Sequence, residues 1–273
     1  MKYCTSYRQI AAHADDVSQF RFTASTLGLA LEFLEAHPEG TAIIEILDLE
    51  SSKLSTAKIH NLIKENDRLY FDFYSWSDFV TVAKEAPKRR CFMHYPCVTY
   101  GEIYFIMHMV GTAGITITEP LIFDIPTVRS VVDSYAANDD EHFIIRMVPY
   151  IGRPSLYDAI KEQDKGLCHF WVLPQHIHLY DKYIDYVDIL AKEQTFEATL
   201  LNVYLQGSYL MPLHTIFANV DTLMTGNFVD EEWAKKRLNC RQTCMMNGHR
   251  ACHYCDQQNQ MYLLLKERHQ ANH

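Results

Sequence analysis

Short apolar runs alternate along the chain with amphipathic stretches. Eight runs have the length and the β-branched or aromatic content of buried strands: residues 20–24, 41–47, 68–74, 90–95, 113–118, 142–148, 167–173 and 186–190. Apolar residues recur at helical spacing between them, at residues 27–36, 55–64, 78–85, 101–110, 128–137, 156–162, 178–183 and 195–204. This alternation is typical of a parallel sheet with helical crossovers. The strand count and the length of 273 residues predict an α/β fold, a closed (β/α)8 barrel like a TIM barrel.

The alternation stops after Leu213. We therefore expect residues 1–213 to form the barrel and residues 214–273 to form a helical, cysteine-rich appendix packed on it. Helical patterns at residues 229–238 and 257–268 flank the cysteines of this appendix. Segments below about forty residues usually need a metal or disulfides to hold their shape, and a metal bound in this appendix would contribute its affinity to folding.

Four cysteines fall close together in this appendix: Cys240, Cys244, Cys252 and Cys255. Their spacing is C-x3-C, seven residues and C-x2-C, with Gly248 in the connecting loop. Two close pairs joined in this way can place four sulfurs around one centre, and thiolates select zinc or an iron–sulfur cluster. We predict a metal centre here; two disulfides or four free thiols are the alternatives.

The net charge and the hydropathy of the chain argue against some classes of protein. The formal net charge is −9 and the sequence pI is about 5.8, so no general basic surface for nucleic acid is predicted. Residues 1–8 lack the apolar core of a signal peptide, and no apolar run is long enough to cross a bilayer. We expect a cytoplasmic protein without a membrane segment, whose cysteines are reduced or metal-bound.

Polar residues near the carboxyl ends of the predicted strands are candidates for binding substrate, because barrels of this type carry their chemistry at those ends. They are Glu45, Asp72, His94, Glu119 and Arg146. The two carboxylates within apolar strands, Glu45 and Asp72, either contact substrate or metal, or form structural ion pairs with an arginine such as Arg21 or Arg146. His94 suits acid–base work, with a structural role as the alternative, and Arg146 suits an anionic substrate.

Several catalytic motifs are absent from the sequence. It contains no GxGxxG, no P-loop, no GxSxG and no HExxH pattern. This argues against a dinucleotide-dependent oxidoreductase, a P-loop NTPase, an α/β-hydrolase and a zincin-type metalloprotease.

Four segments carry a family resemblance: residues 171–180 (WVLPQHIHLY), 184–190 (IDYVDIL), 204–209 (YLQGSY) and 114–121 (GITITEPL). They resemble the collagenase-like peptidase family U (number thirty-two). In that family an aromatic-x-x-Pro turn leads to an Ile-Asp-x-x-Lys-Ile strand, and a helix precedes a cysteine-bearing tail. A barrel strand of that family reads Gly-x-x-x-Ile-x-x-Pro-Leu.

The resemblance implies a (β/α)8-like barrel and a 4Fe–4S cluster held by the four clustered cysteines. It also implies an oxygen-independent hydroxylase acting on RNA bases or quinone precursors, so the substrate would be RNA or a small molecule. Two alternatives remain. Gln175 and His176 stand where an acidic pair is usual in the family, which favours a non-catalytic barrel whose tail holds structural Zn2+ and which serves in binding or assembly. A peptidase, as the family name suggests, is the third hypothesis.

Overall fold

The computed structural model of the protein describes residues 1–95, 100–117, 124–136, 142–149, 172–190, 194–208 and 231–238. Eight parallel strands close into a barrel in which each strand pairs with the next along the chain and the last pairs with the first. The strands are β1 (Lys2–Ser6), β2 (Gln19–Thr23), β3 (Thr41–Ile46), β4 (Leu69–Phe73), β5 (Cys91–Tyr95), β6 (Thr112–Ile117), β7 (Ile144–Met147) and β8 (Tyr186–Asp188). The predicted α/β barrel of the (β/α)8, TIM-like type is confirmed.

Helices lie between and after the strands. They are α1 (Ile10–His13), α2 (Leu27–Ala36), α3 (Leu49–Ser52), α4 (Thr56–Glu65), α5 (Trp76–Ala83), α6 (Tyr100–Met107), α7 (Ile125–Ala136), α8 (Gln194–Gln206) and α9 (Glu231–Leu238). Short 3-10 helices span Tyr7–Gln9, Ala24–Thr26 and Pro174–Tyr180. Among the residues described, no helix combines the length and the apolar character needed to cross a bilayer.

Side-chain caps fix the starts of three helices near the carboxyl ends of strands. Asp48 Oδ1 accepts a hydrogen bond from the Ser51 amide at 2.7 Å before α3, and Ser75 Oγ accepts one from the Asp78 amide at 3.4 Å before α5. Ser55 caps α4 in the same way, with its Oγ accepting from the Lys58 amide at 3.2 Å. Because such caps satisfy otherwise unpaired amides, they stabilise helices that begin directly after the strands β3 and β4.

The main hydrophobic core lies between the barrel and the helices. Strand residues at every second position belong to it, as in Phe20 and Phe22 of β2 or Phe71 and Phe73 of β4. Phe33 of α2 packs its ring against both aromatic residues of β2, with centroid distances of 5.2 and 5.8 Å. The alternate strand positions face the barrel interior, since successive side chains of a strand point to opposite faces.

The first barrel strand is not among the predicted runs. β1 consists of Lys2–Ser6, in which polar residues interrupt the apolar pattern. Its Thr5 hydroxyl donates to Glu197 Oε1 of α8 at 2.6 Å, and the Ser6 amide donates to the same oxygen at 2.7 Å. A partner from a distant helix thus satisfies the Thr5 hydroxyl and the Ser6 amide of this strand, and local sequence gives no sign of that partner.

One predicted strand is wrong as a barrel strand. Of the run at residues 167–173 the structure describes Val172 and Leu173, and neither lies in a strand. β7 pairs directly with β8, with Arg146 opposite Tyr186, which leaves no place for a strand between them. Val172 and Leu173 instead belong to the main hydrophobic core, and that burial accounts for their apolar character.

The carboxyl-terminal segment is described only at α9. Ala234 and Leu238 of this helix belong to the same buried cluster as Ile177 and Tyr180 of the 3-10 helix, so α9 packs on the barrel body. It matches the helix predicted at residues 229–238. The predicted cysteine ligands, the predicted helices at residues 156–162 and 257–268 and the proposed boundary at Leu213 lie outside the described residues.

Candidate functional site

Contacts between non-adjacent strands place charged side chains inside the barrel. Nη2 of Arg21 on β2 lies 2.7 Å from Oδ2 of Asp72 on β4, although β3 separates these strands. The same Nη2 lies 2.5 Å from Oδ2 of Asp188 on β8, with β1 in between. These contacts therefore cross the interior of the barrel. All three side chains are at most 1% exposed.

Arg146 on β7 extends this cluster. Its Nη2 donates to Asp188 Oδ1 at 2.6 Å, and its guanidinium carbon lies 4.9 Å from the centre of the Phe92 ring. The interior thus holds two arginines and two aspartates, which balance in formal charge. We call Arg21, Asp72, Arg146 and Asp188 the ionic quartet.

The ionic quartet keeps unused hydrogen-bonding capacity. Within the described part of the chain, Arg21 Nε, Arg146 Nε, Arg146 Nη1 and Asp72 Oδ1 are buried and have no hydrogen-bond partner. An unmet buried polar group costs about 1–3 kcal/mol, and native proteins usually satisfy such groups with protein, water or ligand. These atoms therefore mark where a water or the polar end of a ligand would be stabilised.

Asp72 connects the ionic quartet to His94. Its Oδ2 lies 3.4 Å from Nδ1 of His94 on β5 and accepts a hydrogen bond from Thr116 Oγ1 at 3.3 Å. His94 is opposite Thr116 in the β5–β6 register, one position before the last pair of the two strands. The imidazole is therefore held near the carboxyl end of the barrel, with a carboxylate at Nδ1.

Glu45 lies at the same end of the barrel and is partly open. Its side chain is 23% exposed, while its Oε1 accepts from the Tyr74 hydroxyl at 3.2 Å and lies 3.5 Å from Arg21 Nη1. The Tyr74 ring stacks on the His94 ring with 4.1 Å between centroids and 14° between planes. Tyr74 thus joins an acidic and an imidazole side chain into one cluster, which we call the mouth cluster: Glu45, Tyr74 and His94.

The electrostatic environment separates Glu45 from the aspartates. Burial raises the pKa of the Glu45 carboxyl above its usual value; the charge of Arg21 opposes this shift and that of Asp72 adds to it. Burial, followed by the negative charge of Glu45, raises the pKa of Tyr74 well above its ordinary value. Tyr74 therefore keeps its proton and donates it in the hydrogen bond to Glu45.

The aspartates are held ionised. Burial alone would raise the pKa of Asp72, but the positive charge of Arg21, the hydrogen bond to His94 and the charge of Arg146 outweigh it and lower that pKa. Burial would likewise raise the pKa of Asp188, and the charges of Arg146 and Arg21 reverse that effect. The aspartates of the ionic quartet are thus held ionised, whereas the neighbouring Glu45 takes up a proton more readily.

The structure brings four of the five strand-end candidates together. Glu45 and His94 meet in the mouth cluster, while Asp72 and Arg146 lie in the ionic quartet. Asp72 and Glu45 both contact Arg21, which is the structural pairing that the sequence analysis gave as the alternative. Glu119 lies outside the described residues.

Sequence reasoning missed two members and undervalued a third. Asp188 was considered only within an apolar strand and within the family resemblance at residues 184–190, and Tyr74 only as a strand end. Arg21 was considered only as an ion-pair partner. A signal was present, because each strand residue of the ionic quartet is flanked by large apolar residues, as in Phe20-Arg21-Phe22 and Val187-Asp188-Ile189. A single charge between two outward-facing apolar residues indicates a polar barrel interior.

Within the described residues, no group of three or more histidine, cysteine, aspartate or glutamate side chains is arranged to hold a metal ion. The four cysteines predicted to bind a metal lie outside those residues, so that site stays a prediction. No protein-family model matches this chain, and a search of curated proteins likewise finds no match.

Proposed function

We propose that the protein is an enzyme whose carboxyl-end barrel mouth transfers protons to and from a small molecule or a nucleotide base. The observation that carries this proposal is the meeting of Glu45, Tyr74 and His94 at that end. Barrels of this architecture carry their chemistry there. Two protonatable groups in different environments are what general acid–base catalysis requires.

Glu45 acts as the proton acceptor. Its Oε1 is engaged by Tyr74 and approached by Arg21, so Oε2 is the oxygen that would meet the substrate. Because burial raises its pKa, the ionised carboxylate is more basic than an exposed one, which favours proton abstraction near neutral pH. Tyr74 fixes the orientation of the carboxylate by donating to its other oxygen.

His94 is the second proton-handling group. Asp72 lies at Nδ1, and an orienting carboxylate there holds the ring so that Nε2 addresses the substrate, as in other histidine-based catalysts. Stacking against Tyr74 restricts the ring further. Glu45 and His94 would then approach one substrate from two neighbouring positions, one removing a proton and the other supplying one.

The finer assignment is an oxygen-independent hydroxylase acting on RNA bases or quinone precursors. It rests on the resemblance of residues 114–121, 171–180, 184–190 and 204–209 to the collagenase-like peptidase family U (number thirty-two). Four thiols are a donor set that a 4Fe–4S cluster fits, and Cys240, Cys244, Cys252 and Cys255 would hold it. Such a cluster supplies electron transfer, while Glu45 and His94 manage the protons.

The test uses full-length protein prepared without oxygen, incubated with RNA or quinone precursors and an electron acceptor. Mass spectrometry then detects product that has gained one oxygen atom, which water supplies while two electrons pass to the acceptor and two protons are released. We expect Glu45→Gln to reduce turnover by about 10²–10⁴-fold, the usual contribution of a general base. Glu39→Gln, a matched change at an exposed glutamate before β3, should leave turnover unchanged. Full turnover by Glu45→Gln would contradict the assignment.

The second candidate is a non-catalytic barrel with a structural zinc tail. The ionic quartet favours it, because Arg21 and Arg146 pair with buried aspartates as a structural network would. In that case purified protein should contain zinc and be colourless, and Cys252→Ser should release the zinc and disorder the tail. Iron and acid-labile sulfide in the anaerobic protein, with a visible absorption band, would instead support the cluster.

A further inference from the structure

Arg21 occupies an unusual position between the two clusters. Its guanidinium approaches three carboxylates from three different strands, with Nη2 at 2.7 Å from Asp72 and 2.5 Å from Asp188 and Nη1 at 3.5 Å from Glu45. Glu45 and Asp72 are also opposite each other in the β3–β4 register. One side chain thus controls the charge around both the partly open glutamate and the aspartate that orients His94.

We infer that Arg21 is the positioning residue of the mouth cluster, holding Glu45 ionisable and Asp72 aligned with His94 through one guanidinium. The inference rests on the proposed proton-transfer function and names a residue that this function requires but that touches no substrate. Asp188 anchors Arg21 from β8, on the side of β2 away from Glu45, so that the guanidinium does not turn entirely toward Glu45.

The simultaneous contacts of Arg21 with three carboxylates require the planar guanidinium of an arginine. A guanidinium offers several N–H groups in fixed directions, whereas the lysine ammonium is a compact point charge on a flexible stem. In an Arg21→Lys variant one ammonium would stay with the buried aspartates, where the attraction is strongest, and would leave Glu45. Because the charge of Arg21 lowers the pKa of Glu45, its withdrawal leaves burial and Asp72 to raise that pKa further.

The first measurement follows the Glu45 carboxyl directly. The 13C resonance of its carboxyl carbon, assigned by its absence from Glu45→Gln, is titrated in the wild type and in Arg21→Lys. We expect the Glu45 titration to move to higher pH in the variant. Arg68→Lys is the matched control, because Arg68 donates to the backbone oxygens of Leu34, His37 and Gly40 and serves a purely structural purpose. Arg68→Lys should lower the free energy of unfolding and leave the pH at which Glu45 titrates unchanged.

The second measurement follows turnover against pH. If Glu45 accepts the proton, its raised pKa in Arg21→Lys should move the acidic limb of the profile to higher pH. Turnover at neutral pH should fall on the order of 10- to 100-fold, by analogy with the outer-shell residues that orient the ligands of metal sites. Should Arg21→Lys fail to fold, the charge-balanced pair Arg21→Met and Asp188→Asn replaces it, with the same expected direction.

The outcomes separate the two proposals. If the Glu45 titration moves while wild-type protein shows no turnover on any substrate tested, the charge arrangement stands and the proton-transfer function fails. If turnover is present but Arg21→Lys leaves both the titration and the pH profile where they were, the inference about Arg21 is overturned.

Discussion

The two faces of the barrel wall are built on opposite principles. The outer face packs against helices through apolar residues such as Phe20, Phe71 and Phe73. The inner face carries the ionic quartet and the mouth cluster, whose members bond to one another across the interior. The same strands supply both faces, since successive residues alternate between them. The outer face holds the barrel together, and the inner face gives it a place for chemistry.

The difference lies in how each face gains free energy. Burial of apolar area is non-directional and adds up residue by residue. A buried ion pair instead sets Coulomb attraction against a desolvation cost of similar size, so that it contributes little to stability while its partners are intact. We therefore expect the loss of a large apolar side chain from the outer face to destabilise the protein. On the inner face, we expect the protein to tolerate replacement of all four charges together but to be destabilised by removal of a single one.

The largest effect should follow from truncating the outer face. Phe71→Ala removes a fully buried ring from the main core and should lower the free energy of unfolding by about 3–5 kcal/mol, from lost transfer free energy and the cavity left behind. Urea unfolding followed by circular dichroism measures it. Phe105→Ala, at a phenylalanine that is 49% exposed, should lose far less; equal losses would mean that exposure does not separate the two positions.

Breaking the inner face at one residue should cost nearly as much. Asp188→Ala leaves Arg21 and Arg146 buried without their shared carboxylate, and an uncompensated buried charge costs about 3–5 kcal/mol. Urea unfolding measures this loss as well. Because Phe71→Ala and Asp188→Ala should lower the free energy of unfolding by similar amounts, these two single variants do not distinguish the two faces.

The distinguishing control replaces the whole ionic quartet. Arg21→Met, Asp72→Leu, Arg146→Met and Asp188→Leu together remove all four charges, and a change of this kind is often neutral or stabilising by about 1–4 kcal/mol. We expect the fourfold variant to fold and to have lost activity. A variant that stays as unstable as Asp188→Ala would show that the charges themselves hold the barrel closed.

The two faces also differ in how far the sequence predicts them. The outer face was predictable, because apolar residues at helical or strand spacing define it, and helix α2 has the bounds that its pattern indicated. β1 was not predictable, because its polar Thr5 depends on Glu197, 192 residues away. The run at residues 167–173 misled for the converse reason: its described residues, Val172 and Leu173, are buried outside a strand and are as apolar as strand residues.

The inner face was predictable only in part. Glu45, Asp72, His94 and Arg146 stood out because a charge inside an apolar strand demands a partner. Which partner each one takes depends on how the closed barrel apposes strands that are distant along the chain. Asp188 of β8 accepts a hydrogen bond from Arg21 of β2 across β1, and the ring of Tyr74 stacks on that of His94. No spacing along the sequence encodes these distances, so the mouth cluster emerges only from the fold.

The smallest effect should come from Glu45 and should depend on pH. Burial raises the pKa of Glu45 in the folded state, whereas an unfolded glutamate titrates at about 4.3. Its proton therefore favours folding below that value, and this contribution is lost as pH rises through the folded pKa. Glu45→Gln removes the charge, so its stability relative to the wild type should rise as the pH increases from about 4 through the folded pKa of Glu45.

The pKa values of Asp72 and Asp188 are shifted in the opposite direction to that of Glu45, and these shifts do not interfere with the measurement. Their pKa values are lowered by the arginines, so the stability they confer is present above about pH 4 and is lost on acidification through their folded values. Both aspartates stay ionised above about pH 4, so their loss lies below the pH range in which the Glu45 difference is measured. Urea unfolding of the wild type and of Glu45→Gln at a series of pH values gives the difference directly. A flat difference would mean that Glu45 titrates normally and is no more basic than a surface carboxylate.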